Sequence, residues 1–317
     1  MKNITVIGGG VLGSQIAFQT AYSGLNVTIS AMDEESKKQT EEKLSTLKET
    51  YINEVKQMSQ KKDINKWCNG ISSYEDFDEK KCLEKIEKAS KSIVIETNMK
   101  NAVKDADLII ESITEDFNIK KELYERLSTI MPPKAIIVTN SSTLLPSRLA
   151  KYTGRSNMFL ALHFANSIWK NNITEVMKHD KTEDKYFKEV MEFARRINMV
   201  PLPVEKEKSG YLLNSMLIPL LFSGLDLYVN GISDPESIDK AWTMGTGSPK
   251  GPFMILDTVG LNTAYEIVQM YVKIPSFLAP YNFKGMSKLL KKYIDEGKLG
   301  KSTNEGFYKY KNGVIVK

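Results

Sequence analysis

Along the first two-thirds of the chain, short apolar runs alternate with stretches whose apolar positions recur every three or four residues. The runs at 4–7, 27–30, 92–95, 108–113, 135–138, 158–162 and 200–204 have strand length. Helical periodicity occupies 13–22, 34–58, 119–130 and 185–197, so the pattern predicts repeated strand–helix–strand units around a mostly parallel sheet. The charged stretch 34–66 breaks this rhythm and reads either as a helical excursion after the second strand or as one long solvated surface helix. Beyond Ser209 the strands nearly vanish, and 211–229, 235–242, 253–271 and 286–295 read as helices. Asp234 or Ser233 is placed to cap the second of these, with Pro235 at its first position. The tail 306–316 alternates as a hairpin turning at Asn312-Gly313. The predicted division is an α/β unit over 1–205 and an all-helical unit over 206–317, joined near 203–210.

A chain of 317 residues exceeds what one hydrophobic core usually serves, which agrees with two domains. With 41% hydrophobic and 26% charged residues it is expected to fold, not to be collagen-like or disordered. No apolar stretch reaches the ~18 residues of a membrane helix, since 211–229 is broken by Asn214, Ser215, Pro219, Ser223, Gly224 and Asp226. The start carries no signal-peptide pattern. Cys68 and Cys82 are too few for a disulfide framework and lack zinc-site spacing, so no metal and a reducing, cytoplasmic location are expected. The formal charge of +5 is spread among mixed signs with no basic stripe, which argues against nucleic acid as a partner. Only His163 and His179 can act as an imidazole base. His179, between Lys178 and Asp180, reads as part of an exposed turn.

The first predicted strand runs directly into Gly8-Gly9-Gly10-Val11-Leu12-Gly13, which opens a helix. In that order each glycine has a mechanical reason, with Gly8 making the tight turn, Gly10 admitting a pyrophosphate and Gly13 allowing close helix–strand packing. Free N–H groups at the helix start, from Val11 and Leu12 onward, favour phosphate. The fold class is therefore predicted as a Rossmann-type doubly wound α/β sheet followed by a helical domain. Asp33, 20 positions beyond Gly13 and followed by Glu34 and Glu35, would bond an adenosine ribose and repel the extra phosphate of NADP, so NAD is the expected cofactor. The same carboxylate also reads as the N-cap of the following helix, and one group can serve both purposes.

Thr139-Asn140-Ser141-Ser142-Thr143 follows the fifth parallel strand, at the carboxyl end of the sheet where such folds bind ligands. Asn140 and Ser142 are accordingly candidates to face the cofactor, although turn chemistry also accounts for this segment. One strand later an apolar run delivers His163, and Glu175 follows. Oxidation of a hydroxyl needs a base with a pKa near working pH, and a carboxylate beside an imidazole both orients it and stabilises its cation. His163 with Glu175 can supply this.

The glycine loop, Asn140-Ser141-Ser142, Leu162-His163-Phe164-Ala165-Asn166, Glu175 and Gly210-Tyr211-Leu212-Leu213-Asn214 together resemble the 3-hydroxyacyl-CoA dehydrogenase family. The likeness extends through Ile238-Asp239-Lys240-Ala241-Trp242, Gly251-Pro252-Phe253, Asp257-Thr258-Val259-Gly260 and Glu305-Gly306-Phe307-Tyr308, covering nearly the whole chain. Within the family, 10–20, 140–147 and 160–166 are closer to the diketoreductase branch. The resemblance implies His163 as general acid/base, Glu175 as its orienting partner, and Ser142 and Asn214 as hydrogen-bond partners of the substrate oxygen. It implies NAD contacts for Glu115, Lys120 and Asn166, with Lys120 also readable as an ordinary surface lysine. It further implies hydride exchange between NAD and C3 of an L-3-hydroxyacyl or 3-ketoacyl substrate, as a CoA thioester or not, and a homodimer. Three positions depart from the family pattern. Its acidic residue aligns to Ala31, the proline after His-Phe-x-Asn is Ser167, and the serine and lysine that hold CoA have no counterpart between Glu41 and Lys66. The alternatives are a reductase of CoA-free 3-keto or 3,5-diketo acids and esters, and a non-catalytic NAD-binding protein.

Overall fold

A computed structural model describes residues 1–64, 67–311 and 313–316. It divides into two compact units, Met1–Leu212 and Leu213–Lys317.

The first unit contains β1 (Asn3–Ile7), α1 (Val11–Tyr22), β2 (Asn26–Ser30), α2 (Glu34–Lys61), α3 (Glu79–Ser92), β3 (Val94–Glu96), α4 (Met99–Val103) and β4 (Leu108–Glu111). It continues with α5 (Phe117–Ile130), β5 (Ile136–Thr139), α6 (Pro146–Ala150), β6 (Phe159–Phe164), β7 (Ile173–Met177), α7 (Asp184–Arg196) and β8 (Val200–Val204). The eight strands form one sheet in the order β3-β2-β1-β4-β5-β6-β7-β8. All neighbours are parallel except β6 and β7. Alternate strand residues face opposite layers: Ile4, Val6, Leu108, Ile110, Ile136 and Val138 join the core on one side, while Ile7, Ile109 and Ile137 join the core on the other. Burial on both faces is what a sheet flanked by crossover helices requires.

Several elements differ from the pattern-based expectation. The apolar pattern does not predict strand β7, which makes the far edge of the sheet mixed. The stretch expected as an excursion over 34–66 is the single helix α2 to Lys61, with Lys66 outside the described residues. Helix α2 is not merely a solvated surface helix, because Thr40, Leu47, Tyr51, Val55 and Met58 form a buried stripe along it. Its Tyr51 hydroxyl donates to Gln19 Oε1 of α1 at 2.6 Å. The unpredicted α3 packs on α1 and α2 through Cys82, Ile86 and Ala89, which stand at helical spacing within an otherwise charged stretch.

The second unit contains α8 (Leu213–Val229), α9 (Pro235–Thr246), α10 (Pro252–Val259), α11 (Leu261–Gln269), α12 (Phe283–Asp295), β9 (Lys309–Lys311) and β10 (Val314–Val316). The last two pair as an antiparallel hairpin, and Asn312 of its expected turn lies outside the described residues. The stretch 253–271, expected as one helix, is two, because Gly260 adopts φ +97° between them. Asp234 caps α9 by accepting from Ser237 N–H. Two buried aspartates join helices to the tail. Asp239 accepts from the N–H groups of Phe253 and Met254 and from the Tyr308 hydroxyl. Asp257 accepts from the N–H groups of Phe307 and Tyr308 and from the Tyr310 hydroxyl. Burial raises the pKa of both carboxyls against the pull of these donors. The Asp239 and Asp257 sequence motifs are thus explained by internal hydrogen bonding.

Candidate active site

The strand order reverses between β1 and β4, and the glycine loop leaves β1 at that point. Gly8 has φ +103°, and a Cβ there would lie 2.5 Å from Ser112 O. A Cβ on Gly13 would lie 2.0 Å from Gly8 O. Both glycines are therefore demanded by the protein's own packing. Gly10 is different, since a Cβ there would meet no protein atom within 4 Å. A glycine that internal packing does not require fits close approach by a ligand, and this loop at the N-terminus of the twelve-residue α1 suits a pyrophosphate. Val11 and Gln15 of α1 line a cleft of about 440 Å³ with Gln39, Lys43 and Leu47 of α2.

Strand β2 ends at Ser30, Ala31 still donates its N–H to Glu96 O of β3 at 3.0 Å, and Met32 then leads to Asp33. Asp33 Oδ1 accepts from Ser36 N–H at 2.7 Å and caps α2, and its hydrogen bonding to Ser36 holds the carboxyl below the usual range. The N-cap reading of Asp33 is realised, and its exposed position at the sheet's carboxyl end leaves the ribose reading compatible with it.

The antiparallel pairing of β6 and β7 puts His163 directly opposite Glu175. Cross-strand neighbours on one face are within side-chain reach, and here His163 Nδ1 lies 3.0 Å from Glu175 Oε2. On the other side of the ring, Nε2 lies 3.0 Å from Ser142 Oγ. With Glu175 ionised, Nδ1 carries the proton it shares with the carboxylate and Nε2 accepts from Ser142. His163 is 12% exposed and Glu175 is buried. The second carboxylate oxygen, Oε1, accepts from Leu212 N–H at 2.8 Å. The Tyr211 ring stacks on the imidazole at 4.5 Å with a 15° interplanar angle, and its hydroxyl donates to Ser141 O at 2.7 Å. Sequence reasoning misses Tyr211 as a site residue, because 211–229 reads as continuous helix.

The turn carrying Ser142 is held by Glu115. Its Oε1 accepts from the Ser141 and Thr143 hydroxyls and from Thr143 N–H. Burial alone would raise the Glu115 pKa, but these donors, with Lys120 nearby, hold it below the ordinary range. Asn140 Oδ1 accepts from Phe164 N–H at 3.0 Å, tying the ends of β5 and β6 together. Lys120 is not on the surface: it is 1% exposed, with its ammonium against Glu111, 3.4 Å from Glu115 and 3.4 Å from Ile113 O. Asn166 lies exposed just beyond β6. The next residue, Ser167, has φ +58° and donates its N–H to Gln15 Oε1 at 2.9 Å. Proline permits neither, so the departure at Ser167 marks a different loop path. Asn214 belongs to the second unit, half-buried in the first turn of α8. His179 is not in an exposed turn: it is 5% exposed behind Phe159, and burial lowers its pKa. The structure therefore brings together Ser142, His163 and Glu175, with Glu115 and Asn140 shaping the same sheet end.

A doubly wound sheet with this glycine loop and this hydroxyl–imidazole–carboxylate chain belongs to the NAD-dependent oxidoreductases. Residues 3–208 match the 3-hydroxyacyl-CoA dehydrogenase NAD binding domain, and residues 210–310 match the C-terminal domain of the same family. The chain belongs to the 3-hydroxyacyl-CoA dehydrogenase family, and its cofactor is NAD. It is 32% identical over 311 residues to the mitochondrial hydroxyacyl-coenzyme A dehydrogenase of Homo sapiens, covering 98% of this chain and 92% of that one. It is 32% identical over 213 residues to the 3-hydroxybutyryl-CoA dehydrogenase of Clostridioides difficile, covering 66% of this chain and 72% of that one. A solved diketoreductase, described for substrate-directed dual catalysis of dicarbonyl compounds, is 43% identical with a TM-score of 0.84, covering 98% of this chain and 99% of that one. Among the described residues, no helix is long and apolar enough to cross a membrane, and no cluster of His, Cys, Asp and Glu is arranged to hold a metal ion.

Proposed function

We infer that the protein interconverts a 3-hydroxyacyl group and its 3-keto form, with His163 as the general acid/base. The observation that carries this reading is the continuous chain Ser142 Oγ, His163 Nε2, His163 Nδ1, Glu175 Oε2, with both hydrogen-bonded links at 3.0 Å. NAD, when bound, supplies the hydride acceptor for the C3–H bond. His163 Nε2 takes the proton of the C3 hydroxyl. Glu175 holds the ring by Nδ1 and stabilises the imidazolium that forms, and Leu212 N–H fixes the carboxylate in turn. Ser142 Oγ, turned from Nε2 to the substrate oxygen, polarises it, and Asn214 is assigned as the second donor to that oxygen. In the reverse direction the imidazolium gives its proton to the ketone oxygen. Gly8, Gly10, Val11, Leu12 and Gly13 are assigned to the pyrophosphate and Asp33 to the adenosine ribose. Asn140, Ser142, Glu115, Lys120 and Asn166 are assigned to the nicotinamide end, Lys120 through its grip on Glu115. A non-catalytic NAD-binding role would leave this proton relay without use.

What is attached to the keto group is a separate question. The family favours L-3-hydroxyacyl-CoA. A second reading, a CoA-free 3-keto or 3,5-diketo acid or ester, is favoured by the 43% identity to the diketoreductase. It is also favoured by the cleft at α2, where Lys43 is the one cationic side chain among the lining residues and stands beside Glu42. The phosphates of a CoA tail would find little compensation there. Turnover of acetoacetyl-CoA and of ethyl acetoacetate, each with NADH and with NADPH, decides between them. The thioester reading expects kcat/KM on acetoacetyl-CoA to exceed that on the ester, and an ester rate equal or higher defeats it. NADH is expected to outperform NADPH with either substrate.

A homodimer is the proposed assembly. Helix α8 is apolar on nearly every side, yet its buried residues are Leu221, Phe222, Gly224 and Leu225 alone. Met216 and Leu227 remain exposed on it, the pattern of a face awaiting a second surface. Sedimentation equilibrium is expected to give twice the 35.9 kDa chain mass, and Met216→Glu to shift it toward the monomer. A monomeric wild type would rule the assembly out.

A further inference from the structure

We propose that Tyr211 is a positioning residue for the proton relay, holding the His163 ring from its face and stabilising the cation that the ring becomes. The proposal rests on His163 being the acid/base. The segment Gly210-Tyr211-Leu212 forms a third wall of the site, beside the Ser142 turn and the β6–β7 pair. Gly210 has φ +81° and Tyr211 φ +52°, so two consecutive residues lie in the left-handed region. A tyrosine rarely adopts that conformation, and it persists only where surrounding contacts over-determine it. Such contacts surround Tyr211. It is 1% exposed, its hydroxyl donates to Ser141 O at 2.7 Å, and its ring lies nearly parallel to the imidazole at 4.5 Å. The same turn delivers Leu212 N–H to Glu175 Oε1 at 2.8 Å.

One backbone device therefore sets two things. It fixes the carboxylate that orients Nδ1, and it places an electron-rich ring face against the imidazole. Hydrogen bonds at Nδ1 and Nε2 restrain the ring within its plane but not against tilting about the line joining them, and the stack opposes that tilt. When oxidation of substrate puts a proton on Nε2, the ring face meets a cation, an attraction the neutral imidazole lacks. The Ser141 link couples the stack to the turn that presents Ser142.

The test compares the holoenzyme with Tyr211→Phe, which keeps the ring and loses the hydroxyl, and with Tyr211→Leu, which loses the ring. His163→Ala is assayed in parallel. Whichever of acetoacetyl-CoA and ethyl acetoacetate turns over faster is the substrate, with its hydroxy form for the oxidation. Tyr211→Leu is expected to lower kcat by about 10- to 100-fold, the scale of a small misplacement of a reacting group. NADH affinity should stay within a few-fold, and the acidic limb of the kcat/KM profile for oxidation should move to lower pH. Tyr211→Phe should restore kcat to within about three-fold with the wild-type pH profile, since an aromatic face suffices for the attraction. If Tyr211→Leu no longer binds NADH, Tyr211→Met, a flexible side chain that refills more of the volume, is judged by the same criteria. The proposal is overturned if the non-aromatic variant retains wild-type kcat and pH profile, or if Tyr211→Phe is as impaired as it is. An active His163→Ala would instead remove the acid/base reading on which the proposal stands.

Discussion

His163→Ala is expected to lower kcat by about 10²- to 10⁴-fold in both directions, the usual contribution of a positioned acid/base group, while NADH binds within a few-fold of wild type. The separation follows from where the ring's contacts lie. Its two nitrogens face Ser142 and Glu175 and its plane faces Tyr211, whereas the glycine loop is held by β1, β2 and β4 through bonds such as Gly8 N–H to Ser30 O. Deleting the imidazole leaves that loop and its free N–H groups in place. Stopped-flow absorbance at the reduced nicotinamide band measures the first quantity and fluorescence titration with NADH the second. Parallel loss of both would mean that the imidazole supports the nucleotide site and that the base lies elsewhere.

What makes this site legible in the sequence is the order of elements. A strand, a glycine loop and a helix have one mechanical interpretation, and the apolar run leading to His163 is a buried strand that must release its last residues at the carboxyl end of the sheet. The contact between His163 and Glu175 is less legible. Residues 173–177 mix Thr and Glu with apolar positions, and β7 exists because β6 offers an edge for antiparallel pairing, a tertiary cause with no local signature. Tyr211 escapes for a related reason. Its apolar neighbours continue the helical pattern of α8, and nothing in a tyrosine's own propensity signals φ +52°; Gly210 is the available warning, as a glycine immediately before an apolar run. Gly260 gives a similar warning in 253–271, where one helix stops and the next begins with Leu261 N–H donating to Leu299 O. The burial of His179 and Lys120 is invisible in sequence because charged flanks, such as Lys178 and Asp180, predict exposure on average while packing decides each case.

Lys120→Met is expected to destabilise the first unit by about 3–5 kcal/mol, the cost of stranding a buried charge. Glu111 is fully buried. Its Oε1 is held by the Lys120 ammonium and by Ile113 N–H, and its Oε2 accepts from the Tyr124 and Thr139 hydroxyls at 2.7 Å each. The neutral donors satisfy its geometry but not its charge, and Lys120 is the cation in contact with it. For a unit of this size the loss corresponds to a fall in thermal midpoint on the order of 10 °C. Adding Glu111→Gln removes the stranded charge and keeps one carbonyl acceptor for these donors, so the double variant is expected to recover about half of the loss. Thermal unfolding of the two single variants and the double variant measures this cycle, and NADH titration of the folded proteins runs beside it. A lysine that bound nucleotide directly, with no duty toward Glu111, would behave in the opposite way. Lys120→Met would then cost under about 1 kcal/mol of stability, the range of an exposed ion pair, and weaken NADH binding severely. The buried ammonium, with Glu111 on one side and Glu115 on the other, makes stability the quantity that moves most, and couples the core of the sheet to the turn that carries Ser142.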